Sequence, residues 1–144
     1  MCAEWPGPEK KYRKLGMTHL RLPTVDHFEP TVSDLEKAVA FIQKYHDQGE
    51  KVYVHCRAGH GRSAAVVFAW LVSKDPNVDL RLLNQEFCRL RNVRKTLWRQ
   101  KNIKAFHAKL QGERGGVSNN NNGIEMTKKT STSDEEDEDD HKEL

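Results

Sequence analysis

"VYVHCRAGHGRSAAVVF", residues Val52 to Phe68, decides how the rest of the chain is read. Val52 and Val54 alternate with Tyr53 and His55, the pattern of a short, buried strand. Arg62 to Ser73 is largely apolar and reads as a helix that stops before Pro76. Between strand and helix lie Cys56, Arg57, Ala58, Gly59, His60 and Gly61. Open α/β sheets bind ligands at such strand ends. Amides of a glycine-containing turn and of a helix's first residues make an anion cradle. Gly59 and Gly61 let the backbone turn without a side-chain clash. Arg62 offers a planar fork of donors that suits two phosphate oxygens at once. The same donors would stabilise a thiolate at Cys56. The stretch therefore describes a thiolate nucleophile at the bottom of a phosphate-sized pocket. A nucleotide-binding P-loop would need G-x-x-x-x-G-K-[ST], and no such lysine follows.

Outward from this stretch, helical and extended patterns alternate. Leu20 and Leu22 form a short extended run stopped at Pro23. Ser33 and Glu36 have capping-box spacing and open a helix. Leu35, Val39, Ile42 and Tyr45 carry it to about Gly49. Asp79 to Asn92 is amphipathic, with Leu80, Leu83, Phe87 and Leu90 on one side. A last helix, about Trp98 to Leu110, shows Ile103, Phe106 and Leu110. Strands separated by helices, followed by a helical C-terminal half, predict an α/β layer fold.

At 144 residues the chain fits one domain. From Gly112 onward it has no apolar periodicity, an asparagine run and an acidic block, the composition of a disordered tail. Residues 113–144 hold ten acids against four bases, net −6, and residues 1–112 hold eleven acids against twenty bases, net +9. A formal charge of +3 thus hides a basic body tethered to an acidic tail. Such a body suits anionic partners. Cys2, Cys56 and Cys88 are an odd, widely spaced set without a signal peptide, which predicts a reducing compartment and no disulfide framework. No C-x-x-C or H-E-x-x-H points to a built-in metal site. No apolar run approaches the roughly 20 residues of a membrane span.

"HCRAGHGRS" is the H-C-x5-R-S signature of the protein tyrosine phosphatase superfamily. The wider chain resembles its small dual-specificity branch, and within it the mitochondrial phosphatidylglycerophosphate phosphatase group. The matching stretches run from Glu4–Trp5 through "LRLPTVD" and "LRNVRKTLW" to about Leu110. The resemblance implies an irregular segment at 1–14, a dual-specificity phosphatase domain at 15–111 and the tail at 112–144. It implies a sheet flanked by helices that is incomplete at its N-terminal side: two strands and a helix of the family pattern are lacking before Asp26. One of those strands would pair with Val52–His55.

By the same resemblance, Cys56 is the nucleophile and passes through a phosphocysteine. Arg62 and the amides of residues 57–62 hold the phosphoryl oxygens. Asp26 is the general acid, with Glu29 as the local alternative. Ser63 eases departure of the sulfur, and His55 orients the loop and tunes the thiol from behind. No metal or cofactor is required. Partners are a phosphorylated lipid or protein, with peripheral contact to an anionic membrane and no nucleic acid. The expected form is a monomer, mitochondrial if it follows its relatives and otherwise cytoplasmic. Arg57 and His60 are either solvated side chains or contacts to an acidic headgroup. Arg89, Arg91, Arg94, Lys95, Arg99, Lys101 and Lys104 are the densest basic run, a solvated helix face or a docking surface. Cys88 reads as a buried, inert thiol. A different class of function also fits the missing strands: a non-catalytic phosphate-binding module.

Overall fold

A computed structural model describes residues 8–115. Its elements are α1 (Glu9–Lys14), α2 (Val32–Asp47), α3 (Arg62–Lys74), α4 (Leu80–Leu90), a 3-10 turn (Leu97–Arg99) and α5 (Lys101–Gly115).

The central element is α3. Arg62, Ser63, Ala64, Ala65, Val66, Phe68, Ala69 and Val72 are all buried along it. Small residues on one stretch and Phe68 on the next let α2 and α5 pack closely against it. Leu35, Ala38 and Ile42 come from α2, Ile103 and Phe106 from α5, and Val93 and Leu97 from the segment between α4 and α5. Phe68 is fully buried and its ring stacks with Phe87 of α4 at 6.4 Å. Burying a side chain of this size stabilises the fold by about 1.5–3 kcal/mol.

Helix ends follow local chemistry. The Thr31 hydroxyl accepts the Asp34 N–H at 3.1 Å and so caps α2. The helix therefore starts two residues before the Ser33 expected from its spacing to Glu36. The other end is where the sequence predicts it. Gly49 takes a positive φ of 73°, its N–H reaches the His46 carbonyl, and the Glu50 N–H reaches that of Tyr45. Asp79 caps α4 by accepting from the Arg81 and Leu82 amides.

Three boundaries differ from the sequence reading. The 1–14 segment is not irregular throughout, because Glu9–Lys14 is helical. This helix buries nothing and so leaves no apolar period to read; an exposed Arg13–Glu9 ion pair at 3.1 Å spans one turn of it. The second difference is that α4 ends at Leu90 instead of Asn92, because Val93 turns into the core at 4 % exposure. Last, α5 passes through Gly112 to Gly115, where the tail was expected to begin; the rest of that tail lies outside the described residues.

The expected sheet is not seen among the described residues. Among the described residues no strand is assigned, and only Thr24 carries a bridge. Exposure still alternates along Val52–Cys56, with Val52, Val54 and Cys56 half-buried and Tyr53 and His55 exposed. Among the described residues, however, no backbone group of Val52–His55 hydrogen-bonds to another. A cavity of about 510 Å³ opens between this segment and Leu20–Leu22, floored by Ala38 and Ile42 of α2. Among the described residues the period-two patterning therefore shows as strand-like side-chain placement without a ladder.

Candidate active site

The Val52–His55 segment delivers Cys56 to the start of a tight loop, and Arg62 opens α3 immediately after it. Gly59 has φ +78°, a left-handed conformation that glycine adopts without strain. That turn folds the backbone over the cysteine, so that the Gly59 N–H donates to Cys56 Sγ at 3.2 Å. Ser63, in the first turn of α3, brings its Oγ to 3.2 Å from the same sulfur.

These contacts decide the thiol's acidity. Burial pushes it up. Hydrogen bonds from the Ser63 hydroxyl and from the amides of Ser63, Gly59 and Ala58 more than offset burial and lower the pKa from 9.0 to about 7. Much of Cys56 is therefore thiolate at neutral pH. Iodoacetamide alkylation at Cys56, followed on its own peptide by mass spectrometry so that Cys2 and Cys88 do not contribute, should follow a single titration near pH 7. In S63A the midpoint should move upward, because the hydroxyl that favours the charged form is gone. An unchanged midpoint in S63A would mean that the hydroxyl does not stabilise the thiolate.

Arg62 is 8 % exposed, and a buried guanidinium is costly unless paired. Its Nη2 meets Asp26 Oδ1 at 2.7 Å and its Nη1 donates to the Thr24 carbonyl at 3.3 Å. The Asp26 carboxyl is 48 % exposed and also accepts the His27 N–H at 3.1 Å. His27 has φ 66°, uncommon for a residue with a side chain, and this kink helps to aim the loop's carboxylate at Arg62. The structure thus brings Cys56, Ser63, Arg62 and Asp26 together across 37 residues of sequence. Thr24 was not anticipated; a backbone carbonyl leaves no mark in sequence.

The other expected residues fall less uniformly. Arg57 and Ala58 are exposed on the loop. The His60 ring is fixed, its Nδ1 2.5 Å from the Asn92 carbonyl, while its own carbonyl accepts the Arg94 N–H at 2.9 Å. A carbonyl only accepts, so Nδ1 carries the proton and Nε2 is left facing away from this bond. His55 is exposed, and its ring stacks on that of Tyr53 at 5.4 Å. No hydrogen bond ties it to the loop among the described residues, so a tuning role from behind the thiol gains no support from its contacts. Glu29, the alternative acid, accepts the Asn102 N–H at 3.1 Å at the start of α5, where it serves as a cap. Cys88 is half-buried between Asn84 Nδ2 and the Val93 carbonyl. No group of three or more His, Cys, Asp or Glu converges on a metal-sized point among the described residues.

Comparison with known proteins places this geometry. The Homo sapiens protein "Phosphatidylglycerophosphatase and protein-tyrosine phosphatase 1" is 47% identical over 64 residues, which are 44% of this chain and 32% of the relative. The Arabidopsis thaliana "Phosphatidylglycerophosphate phosphatase PTPMT2" is 44% identical over 66 residues, 45% of this chain and 29% of the relative. The crystal structure of PTPMT1 in complex with PI(5)P matches with a TM-score of 0.65 at 33% identity, over 73% of this chain and 68% of that one. The chain spans about a third of the length of the curated relatives it matches. The model of the family described as "Dual specificity phosphatase, catalytic domain" matches residues 3–104, and the chain belongs to that family.

Proposed function

We propose that this chain hydrolyses phosphomonoesters through a phosphocysteine, and that its substrates are phosphorylated lipids of the phosphatidylglycerophosphate or phosphoinositide type. The observation that carries the chemistry is the Cys56 sulfur, hydrogen-bonded by Gly59 and Ser63 on a loop that ends at the buried Arg62. The Cys56 thiolate attacks phosphorus in line, forming the P–S bond as the bond to the leaving oxygen breaks. Asp26, displaced from Arg62 by the incoming phosphate and protonated from solvent, gives that proton to the leaving oxygen. Water then attacks phosphorus, Asp26 takes its proton, and the P–S bond breaks to release phosphate and thiolate. Arg62 and the loop amides hold the three peripheral oxygens throughout. The Ser63 hydroxyl donates to the departing sulfur.

The Asp26–Arg62 pair has a consequence for binding. Without substrate, the acid's carboxylate occupies part of the guanidinium fork. An arriving phosphate displaces it from the fork and leaves it beside the leaving oxygen.

Lipid specificity is supported by the names of the relatives, by the PI(5)P held in the similar structure, and by the +9 body. The proposed setting is peripheral action on an anionic membrane as a monomer, mitochondrial if the protein follows its relatives and otherwise cytoplasmic. No helix among the described residues is long and apolar enough to cross a membrane. A non-catalytic phosphate-binding module is the second reading, favoured by a Val52–His55 segment that forms no backbone ladder among the described residues.

Purified full-length protein should hydrolyse an aryl phosphate, and should turn over phosphatidylglycerophosphate in mixed micelles faster than a phosphotyrosyl peptide. Absence of any turnover would leave the binding module; the reverse preference would overturn the lipid assignment alone. D26N should slow alkyl phosphates by about 10²–10⁴-fold, the contribution of a general acid, and aryl phosphates with good leaving groups much less. An equal loss on both would give Asp26 a structural role.

A further inference from the structure

We propose that the turn carrying Asp26 is the protein's membrane-contacting edge: Val25 and Phe28 insert into the interface of an anionic bilayer and set the catalytic loop against the headgroups. The proposal rests on the lipid-phosphatase reading and names the surface through which that substrate is reached.

The turn reverses the usual disposition of side chains. Its charged member, Asp26, is drawn onto the buried Arg62 at 2.7 Å, while Val25 is 59 % exposed and Phe28 68 %. Apolar side chains scattered singly over a surface are ordinary. These two stand at the two ends of one closed turn, where the Phe28 N–H donates to the Val25 carbonyl at 3.1 Å. Leaving a phenyl ring and an isopropyl group together in water is unfavourable, and an apolar phase relieves it.

The backbone that presents them is held on both sides. Before the turn, the Thr24 carbonyl accepts from Arg62 Nη1 at 3.3 Å. After it, Glu29 accepts the Asn102 N–H at 3.1 Å, and the Pro30 carbonyl accepts from Asn102 Nδ2 at 2.8 Å. Within it, the His27 N–H donates to Asp26 Oδ1, and His27 holds a φ of 66°. Val25 and Phe28 thus project from a backbone that is already ordered, so less freedom is left to lose on binding.

The chemistry says what they meet. A general acid stands where the leaving oxygen departs, so the rest of the substrate extends past Asp26. For a phosphopeptide that region is a backbone in need of hydrogen bonds, and the Val25 and Phe28 side chains offer none. For a phospholipid it is the remaining headgroup and then the acyl chains, which accept both side chains. Charge adds to this. Arg57 is exposed on the adjoining catalytic loop, and residues 1–112 carry the net +9. Interfacial binding grows with apolar area buried and with attraction to anionic lipid, and the turn and the loop supply one each.

The test uses full-length protein carrying C56S, so that no substrate is consumed, and vesicles of equal parts phosphatidylcholine and phosphatidylglycerol. V25T/F28S should bind them about 10-fold more weakly in co-sedimentation, a conservative share of the burial of two apolar side chains. L82S removes an exposed leucine from α4 and should bind as the parent does. Salt should weaken parent and V25T/F28S by similar factors, because only the charge component is screened. F28W should add an emission that moves to the blue when vesicles are present. In the Cys56 enzyme, V25T/F28S should keep the parent's kcat/KM on a soluble aryl phosphate and lose activity on vesicle-borne phosphatidylglycerophosphate. Equal vesicle binding by parent and V25T/F28S, or an F28W emission that vesicles leave unmoved, overturns the proposal. A dimeric parent that V25T/F28S renders monomeric, with vesicle binding unchanged, gives the face to a second copy and overturns it too. Weaker vesicle binding by V25T/F28S, in a protein whose Cys56 form turns over no phosphomonoester, sustains the membrane edge and sinks only the catalytic reading.

Discussion

C56S should lose at least about 10⁴-fold in turnover of any phosphomonoester, the scale on which removal of a covalent nucleophile is felt. The reason is a difference in acidity. The Cys56 thiol ionises at about 7, so the attacking species is abundant at neutral pH. A serine hydroxyl in the same place stays protonated, and Asp26, the carboxylate nearby, is held on Arg62 instead of on residue 56. Binding should survive, because the cradle is made by amides and by Arg62, none of which the substitution removes. The result to look for is therefore a split: no phosphate release, yet phosphate-ester binding by calorimetry within a few-fold of the parent. Turnover within tenfold of the parent would eliminate the thiolate mechanism. Loss of binding together with turnover would mean that the loop collapses without the sulfur that Gly59 and Ser63 contact.

The acidity has a counterpart in stability. The folded pKa of Cys56 is depressed, so the thiolate contributes stability that is fully present above the ordinary thiol value of 9.0 and is lost as pH falls through about 7. Part of the loop's stabilisation is therefore already gone at neutral pH, and the substrate anion and the thiolate both draw on the same donors.

Much of the site was legible because its chemistry is local. Eight residues from Cys56 to Ser63 hold the proposed nucleophile, the fork, the hydroxyl and the turn, and the hydroxyl and the turn's Gly59 amide both reach the Cys56 sulfur. Asp26 is remote in sequence, and only the family resemblance picked it out; the structure adds its partner, Arg62. Helices with a buried stripe were legible for a similar reason, since α2 and α3 announce themselves by period and by their Gly49 and Pro76 stops. What escaped depends on backbone or on absence. The Thr24 carbonyl on Arg62 has no sequence signature. Arg91 and Arg94 belong to the basic run, and because α4 stops at Leu90 their guanidiniums lie against the Gly59–Gly61 loop instead of along a helix surface. Of the expected layers the helices are seen, and the sheet is not, among the described residues. Alternation at Val52–His55 fixes which side chains are covered, but a ladder needs a neighbour. No such neighbour is seen among the described residues, where a cavity opens beside Leu20–Leu22.

R62K should lose about 10³-fold or more, the scale of an arginine that stabilises a transferring phosphoryl group. Lysine keeps the charge but not the geometry. Arg62 uses Nη2 for Asp26 and Nη1 for the Thr24 carbonyl while 8 % exposed, so these partners help to set its plane before substrate arrives. A lysine ammonium is a point charge on a flexible stem and cannot present two parallel donors to two phosphate oxygens. It would also leave the Thr24 carbonyl or Asp26 without its donor. The loss should be nearly the same for aryl and alkyl phosphates, because the oxygens that Arg62 holds are common to both. This separates it from D26N, whose effect depends on how badly the leaving oxygen needs a proton. Leaving-group dependence thus assigns the two halves of one ion pair to different jobs: the cation to the phosphoryl group, the carboxylate to the bond that breaks. R62K activity within tenfold of the parent would show that the loop amides suffice and that Arg62 is buried for structure. A loss in R62K confined to alkyl phosphates would show instead that Arg62 acts by holding Asp26.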